Sequence, residues 1–215
     1  MITKVTSEKI DGNSYIIREG GYALVIDPAD GDKVTKEIER LGVTPEYIIL
    51  THEHFDHIGG LEQVRETCGI PVIASRECSD NIQTVKGNLS SISGILEYFK
   101  TGKIPDKTID PFVCGPADIT FEENYSMEWR GHSLSFRRLP GHSRGSVLIY
   151  LDEGIIFTGD YLIADREVIT RLKGGSQEDY DNIALPVLES IPEGTHIYPG
   201  HDEDYIMGRQ DNGQR

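Results

Sequence analysis

A single α/β domain over residues 1–215 is predicted by three features of the sequence. β-rich runs alternate with amphipathic helical patterns over the first 75 residues, in the order β-β-α-β-α-β, which suits a sheet with covered faces. No linker, repeat or low-complexity segment interrupts the chain. Several apolar runs stop abruptly at Asp, Gly, Pro or His, as strands do where they pass into loops.

The elements follow in order. "SYIIRE" and "YALVID" are β-rich and separated by Gly20-Gly21, a hairpin signal, and the second run stops at Asp27-Pro28. In "GDKVTKEIERLG", Val34, Ile38 and Leu41 recur at helical spacing, with Asp32 as the expected N-cap and Gly42 as the stop. "YIILTH" is an apolar strand of the kind buried on both faces. "GGLEQVRETCG" follows as a helix and "IPVIAS" as a strand. Residues 80–110 lack a strand signal and read as a partly helical excursion. Strands resume with "HSLSFRRLP", "SVLIYLDE" and "GIIFTGD". A helix over "SQEDYDNIALPVLESI" is expected to kink at Pro186, and "THIYPGH" is the last strand and turn.

Composition narrows the function classes. With 37% hydrophobic residues the chain can build a core without staples. Its formal charge of −15 argues against nucleic acid, since duplex binding rests on Lys and Arg neutralising phosphates. No apolar run approaches the roughly 18 to 20 residues of a membrane span, and "MITKVTSEKI" has no apolar signal core. A cytoplasmic location away from membranes is therefore expected. Cys68, Cys78 and Cys114, odd in number and without C-x-x-C spacing, read as buried free thiols of a reducing compartment.

Four strand ends share a chemical signature. "YIILTHEHFDH", "FRRLPGHS", "IIFTGD" and "HIYPGHD" each run from an apolar strand into a turn carrying His or Asp. Loops beyond strand ends are where an α/β sheet presents its chemistry. The side chains gathered this way are His52, His54, Asp56, His57, His142, Asp160 and His201, which include five of the seven histidines. Imidazole and carboxylate suit zinc, and the same donors accept iron or manganese. His52 and His54, two apart in extended chain, point the same way and can grip one ion. Asp56 and His57 lie where the chain turns into the next helix and can face a second. One ion needs about four donors, so the set points to two metal ions sharing a bridging group. His132 and His196 lie away from these turns and read as ordinary surface or hydrogen-bonding residues.

The combination of "ALVIDPAD", "THEHFDHIGG", "PGHSRGS", "FTGD" and "YPGH" resembles the metallo-β-lactamase-fold hydrolases, especially their glyoxalase II-like branch, over nearly the whole chain. The resemblance implies a four-layer αββα sandwich, two facing mixed sheets with helices outside. It also implies that His52, His54 and His142 hold one metal, that Asp56, His57 and His201 hold the other, and that Asp160 bridges them. Asp27 matches a carboxylate that orients ligands in the family; capping of the Asp27-Pro28 turn is an equal reading of the residue itself. Two departures bear on the substrate. The chain ends at residue 215, so most of the C-terminal helical segment with which glyoxalase II helps bind glutathione is expected to be missing. The stretch 80–130 is longer than a minimal member needs and is expected to supply a lid or a homodimer contact. Asp160 stands where the best-known zinc β-lactamases have Cys, and His54 where flavodiiron proteins have a carboxylate, which points to a hydrolytic dinuclear site.

The expected activity is hydrolysis of a small acyl compound, a thioester or lactone, by a hydroxide held between two metals and oriented by Asp56. Two other activities of the fold stay open: a non-haem iron persulfide dioxygenase, and a phosphodiesterase or nuclease. Arg144, Arg166, Arg171 and Lys173 flank the ligand turns, either as carriers of a substrate carboxylate or as scattered surface cations.

Overall fold

A computed structural model describes residues 1–8, 10–103 and 108–209. Its first sheet holds β1 (Ile2–Thr6), β2 (Asn13–Glu19), β3 (Tyr22–Ile26), β4 (Thr44–Ile49), β5 (Val72–Ser75) and β6 (Ile119–Phe121), in that spatial order. The second holds β7 (Asn124–Trp129), β8 (His132–Arg138), β9 (Val147–Leu151), β10 (Ile155–Gly159), β11 (His196–Pro199) and β12 (Tyr205–Ile206), also in chain order across the sheet. Both are mixed. β3, β4, β5 and β6 run parallel to one another, as do β10 and β11, and the remaining pairs are antiparallel.

The layers follow from strand parity. Ile17, Leu24, Ile26 and Ile49 of the first sheet meet Leu134, Phe136, Ile149 and Phe157 of the second in one buried cluster, the middle of a sandwich. Their neighbours Ile16, Val25 and Ile48 point the other way, onto helices α1 (Gly31–Leu41), α3 (Leu61–Cys68) and α4 (Arg76–Ile82). Leu148, Ile156 and Ile197 cover the outer face of the second sheet against Val187 and Leu188 of α7 (Leu185–Glu189). Strands buried on both faces have no polar side to show, which is why they read as unbroken apolar runs. The result is the αββα sandwich of the metallo-β-lactamase fold.

One local reading is corrected, the N-cap of α1. The N-cap of α1 is Asp30, whose side chain accepts from Lys33 N at 3.2 Å; Asp32 lies inside the first turn and bonds Gln63 instead. A cap must reach the N–H three positions on, and with Gly31 already helical Asp32 is too late. The expected helix over 176–191 is present as α6 (Gln177–Asp179), a π-helical turn at Tyr180–Ala184, and α7, with helical backbone at each junction. Pro186, which has no N–H to give, lies directly after the π-helical turn, so the helical ladder leaves its regular register where the kink was expected. The 80–110 stretch contains the end of α4, a 3₁₀ turn at Ser90–Ile92 and α5 (Ser93–Thr101); its residues 104–107 lie outside the described ones. Between these elements, α2 (Phe55–Ile58) is a single turn carrying part of the site.

Candidate metal centre

Each of the predicted side chains leaves the same edge of the sandwich. β3 and β4 are parallel neighbours, β10 and β11 likewise, and β8 runs with β10 because β9 lies antiparallel between them. Asp27, His52, His142, Asp160 and His201 follow the ends of these five strands. His54, Asp56 and His57 come from the extended step and single turn that follow β4.

All seven predicted residues come together. Donor atoms of His52, His54, His142 and Asp160 form one group within 4.8 Å, and those of Asp56, His57 and His201 form a second. Asp160 stands between them: Oδ2 lies 3.3 Å from His142 Nε2, while Oδ1 lies 3.1 Å from His57 Nε2 and 3.4 Å from His201 Nε2. Asp56 Oδ2 is 3.5 Å from His201 Nε2.

The outer nitrogens explain the inner ones. His57 Nδ1 lies 2.9 Å from Asp27 Oδ2 and His142 Nδ1 lies 2.9 Å from the Ile169 carbonyl, acceptors that each claim a proton. His201 Nδ1 meets the Asp11 carbonyl in the same way. Thr51 gives its hydroxyl proton to Asp27, which leaves Oγ1 to accept from His52 Nδ1 at 3.1 Å. Asp27 therefore orients both rings, and also accepts from Thr51 N at 2.7 Å; the ligand-orienting reading of this residue is the one the geometry supports. With Nδ1 protons committed outward, four histidines turn Nε2 lone pairs inward. His54 is reversed, placing Nδ1 2.9 Å from His142 Nε2.

Such an arrangement calls for a cation. His52 and His57 Nε2 and Asp160 Oδ1 are buried without a hydrogen-bond partner, a cost that a metal held by imidazole and carboxylate removes. Electrostatics agree. Burial, with His57 and His54, holds His52 well below the ordinary histidine range, and burial with His142 takes His54 to about 3. Burial opposes charge on His57 as well, yet Asp160 and Asp27 outweigh it and raise that residue. Asp56 is favoured as neutral by burial, but His201 and His57 bring it to about 2. A divalent cation would take the place of the protons now shared between carboxylates and rings.

Sequence reasoning missed Glu53. It lies between His52 and His54, so strand parity turns it away from the site, and its carboxylate is 1% exposed. Oε2 accepts from Ser143 Oγ at 2.9 Å and Oε1 from Asn81 Nδ2 at 3.0 Å, tying the His52–His54 step to the His142 loop and to α4. Burial pushes its pKa up to about 7 against these donors. The unfolded chain releases this proton near 4.5 and the folded one near 7, so between those values the unfolded state gains, and stability falls as pH rises. Above pH 7 the loss is complete, amounting to about 3 kcal/mol. Glu53→Gln does not titrate, so its melting temperature relative to wild type, both proteins stripped of metal, should climb from pH 5 to pH 8. A difference that is the same at both pH values would refute the assignment.

The other cations divide. Arg144 and Lys173 are exposed and do not line the cavity above the site, whereas Arg166 and Arg171 do, with Arg166 paired to Asp202 at 2.6 Å. His132 bonds Asp152 at 2.6 Å and His196 bonds Asp204 at 2.7 Å. The three cysteines are free, and burial raises the thiols of Cys78 and Cys114, the latter to about 12.

The chain belongs to the metallo-beta-lactamase superfamily, whose family model matches residues 9–201. It is similar to the probable metallo-hydrolase YqgX of Bacillus subtilis, 32% identical over 205 residues that cover 94% of this chain and 90% of that protein. It is also similar to a hydroxyacylglutathione hydrolase of Pelagibacter ubique, 30% identical over 89% of this chain and 67% of that one. Among solved structures, the B3 metallo-beta-lactamase BLEG-1 superposes with a TM-score of 0.78 at 29% identity, covering 97% of this chain and 95% of the other. The fold and family are thus those of metal-dependent hydrolases. No helix among the described residues is long and apolar enough to cross a membrane.

Proposed function

We propose that this chain is a dinuclear metal-dependent hydrolase of a small acyl compound, a thioester or a lactone, acting in the cytoplasm. The observation that supports it best is the position of Asp160, whose two carboxylate oxygens face two separate histidine groups at the floor of an open cavity. His52 Nε2, His54 Nδ1 and His142 Nε2 would hold one ion, Asp56, His57 and His201 the second, and Asp160 would join both. Two divalent ions, zinc by the donor set, supply acidification of water and polarisation of a carbonyl when bound.

The chain's own residues do the rest. Asp56, ionised by its histidine neighbours, accepts a hydrogen bond from the attacking water and fixes its approach. Asp27 and Thr51 keep the rings from turning, so the site does not reorganise during reaction. The substrate is a small molecule that enters through the cavity. A thioester or lactone releases a group that needs little protonation, which suits a floor built from acceptors rather than acids.

Elemental analysis of reconstituted protein, followed by a panel of thioesters, lactones and β-lactams, tests the reading. About two ions per chain and turnover of a thioester or lactone in preference to β-lactams are expected. One ion or fewer after reconstitution with zinc, manganese or ferrous iron would remove the dinuclear site. Oxygen uptake with a persulfide, or hydrolysis of bis-p-nitrophenyl phosphate in place of acyl substrates, would move the protein to another activity of the fold.

A further inference from the structure

The cavity above the ligands encloses about 640 Å³, the size of a site for one small molecule. Its floor is His54, Asp56, His142, Asp160 and His201, and its walls are predominantly apolar. Ile92, Ile95 and Phe99, from the 3₁₀ turn and α5, face Ile163, Ile169 and Leu172 across the opening. Ile95 and Phe99 are 56% and 78% exposed, an unusual place for large apolar side chains on a chain this charged. Four carboxylates, Asp56, Glu97, Asp160 and Glu167, line the cavity against two guanidinium groups, Arg166 and Arg171, and Arg166 is paired to Asp202. A strongly anionic peptide thiol such as glutathione meets more carboxylates than guanidinium groups here.

We propose that the substrate carries a medium-length apolar acyl chain, which lies between α5 and residues 163–172 with its carbonyl at the histidine–carboxylate floor. This rests on the hydrolase reading and specifies its substrate class. The continuity of the apolar walls with the floor assigns the groove to the substrate rather than to a second protein surface. α5 is a specificity element: it leaves the chemistry alone and selects what reaches it.

The test uses metal-reconstituted protein and two readouts. Hydrolysis of acetyl, butyryl, hexanoyl and octanoyl thioesters of N-acetylcysteamine is compared with that of S-lactoylglutathione, and binding of butyrate and octanoate is followed by calorimetry. Full burial of a methylene is worth about a fourfold gain and partial burial about twofold, so kcat/KM should rise at least roughly tenfold from butyryl to octanoyl. Octanoate should bind more tightly than butyrate by a similar factor, and S-lactoylglutathione should fall below octanoyl thioester. Phe99→Asp and Ile95→Asp, at exposed positions that the fold tolerates, should flatten the chain-length dependence. Hydrolysis at equal rates along the series, with octanoate no tighter than butyrate, overturns the proposal and leaves the hydrolase reading intact. Absence of all hydrolysis with octanoate still preferred keeps the apolar groove and removes the hydrolase reading instead. A dimer that Phe99→Asp converts to monomer in sedimentation, with a flat series, makes α5 a self-association face and overturns the proposal.

Discussion

Asp160→Ala is expected to lower metal content in both halves of the site and to reduce kcat/KM by about a thousandfold or more. His201→Ala should keep the group around His52, His54 and His142 and lose less. The difference follows from position. Asp160 is within 3.1 to 3.4 Å of His57, His142 and His201, whereas His201 touches only the second group and its two carboxylates. An ion held by about four donors tolerates the loss of one poorly, and a shared donor is lost by two ions at once. With two ions bound, as proposed, removing the carboxylate between them would also leave their mutual repulsion less compensated. Metal-assisted stabilisation of a transition state is worth several kcal/mol, and each 1.36 kcal/mol is about tenfold in rate, which sets the scale of the loss. Elemental analysis and rates of the two variants decide the matter. An Asp160→Ala protein with two ions and near-normal turnover would remove the bridge, and the dinuclear geometry with it.

What the sequence made legible depended on how local the signal was. The seven site residues were readable because each sits at the end of an apolar run, where a polar side chain has no packing reason to be. The central strand β3 and the buried end of β4 were readable for the same reason, being apolar on both faces. Edge strands were not. β7 alternates half-buried and exposed positions, "NYSMEW", and β1, β6 and β12 are short or only partly buried, so their polar residues hid the pairing. Glu53 gives no signal of its own, since between two histidines it reads as a spacer, while the parity that aims them at the histidine–carboxylate cluster aims it into the protein. The cap at Asp30 depends on where a helix begins to within one residue, which the neighbouring Asp32 leaves ambiguous. The apolar groove could not be read at all, since α5 and residues 163–172 meet only through the fold.

Gly200→Ala is expected to cost about a hundredfold in kcat/KM through steric crowding alone. Gly200 does not have a left-handed backbone, so alanine meets no conformational penalty there. A Cβ at this position would lie 2.4 Å from His57 Cε1 and 2.8 Å from Asp160 Oδ1, closer than atoms can pack. Something has to move, and the backbone is poorly placed to do so. Gly200 N donates to Gly159 O at 2.7 Å, Gly200 O accepts from Asn13 N at 2.8 Å, and the preceding Pro199 carbonyl accepts from Tyr15 Oη at 2.6 Å. The side chains must yield instead: His57, which is fully buried and tied to Asp27, and Asp160, which stands between the two histidine groups. A displacement of about 1 Å at a reacting centre costs on the order of 10²-fold, while crowding of this kind lowers stability by about 1 to 3 kcal/mol. The two effects separate experimentally. Melting of the metal-free protein reports the crowding, and metal content with turnover reports the loss of alignment. A Gly200→Ala protein that binds two ions and turns over at the wild-type rate would show that the 199–201 turn gives way, and that the close approach of backbone to His57 is not what aligns the site.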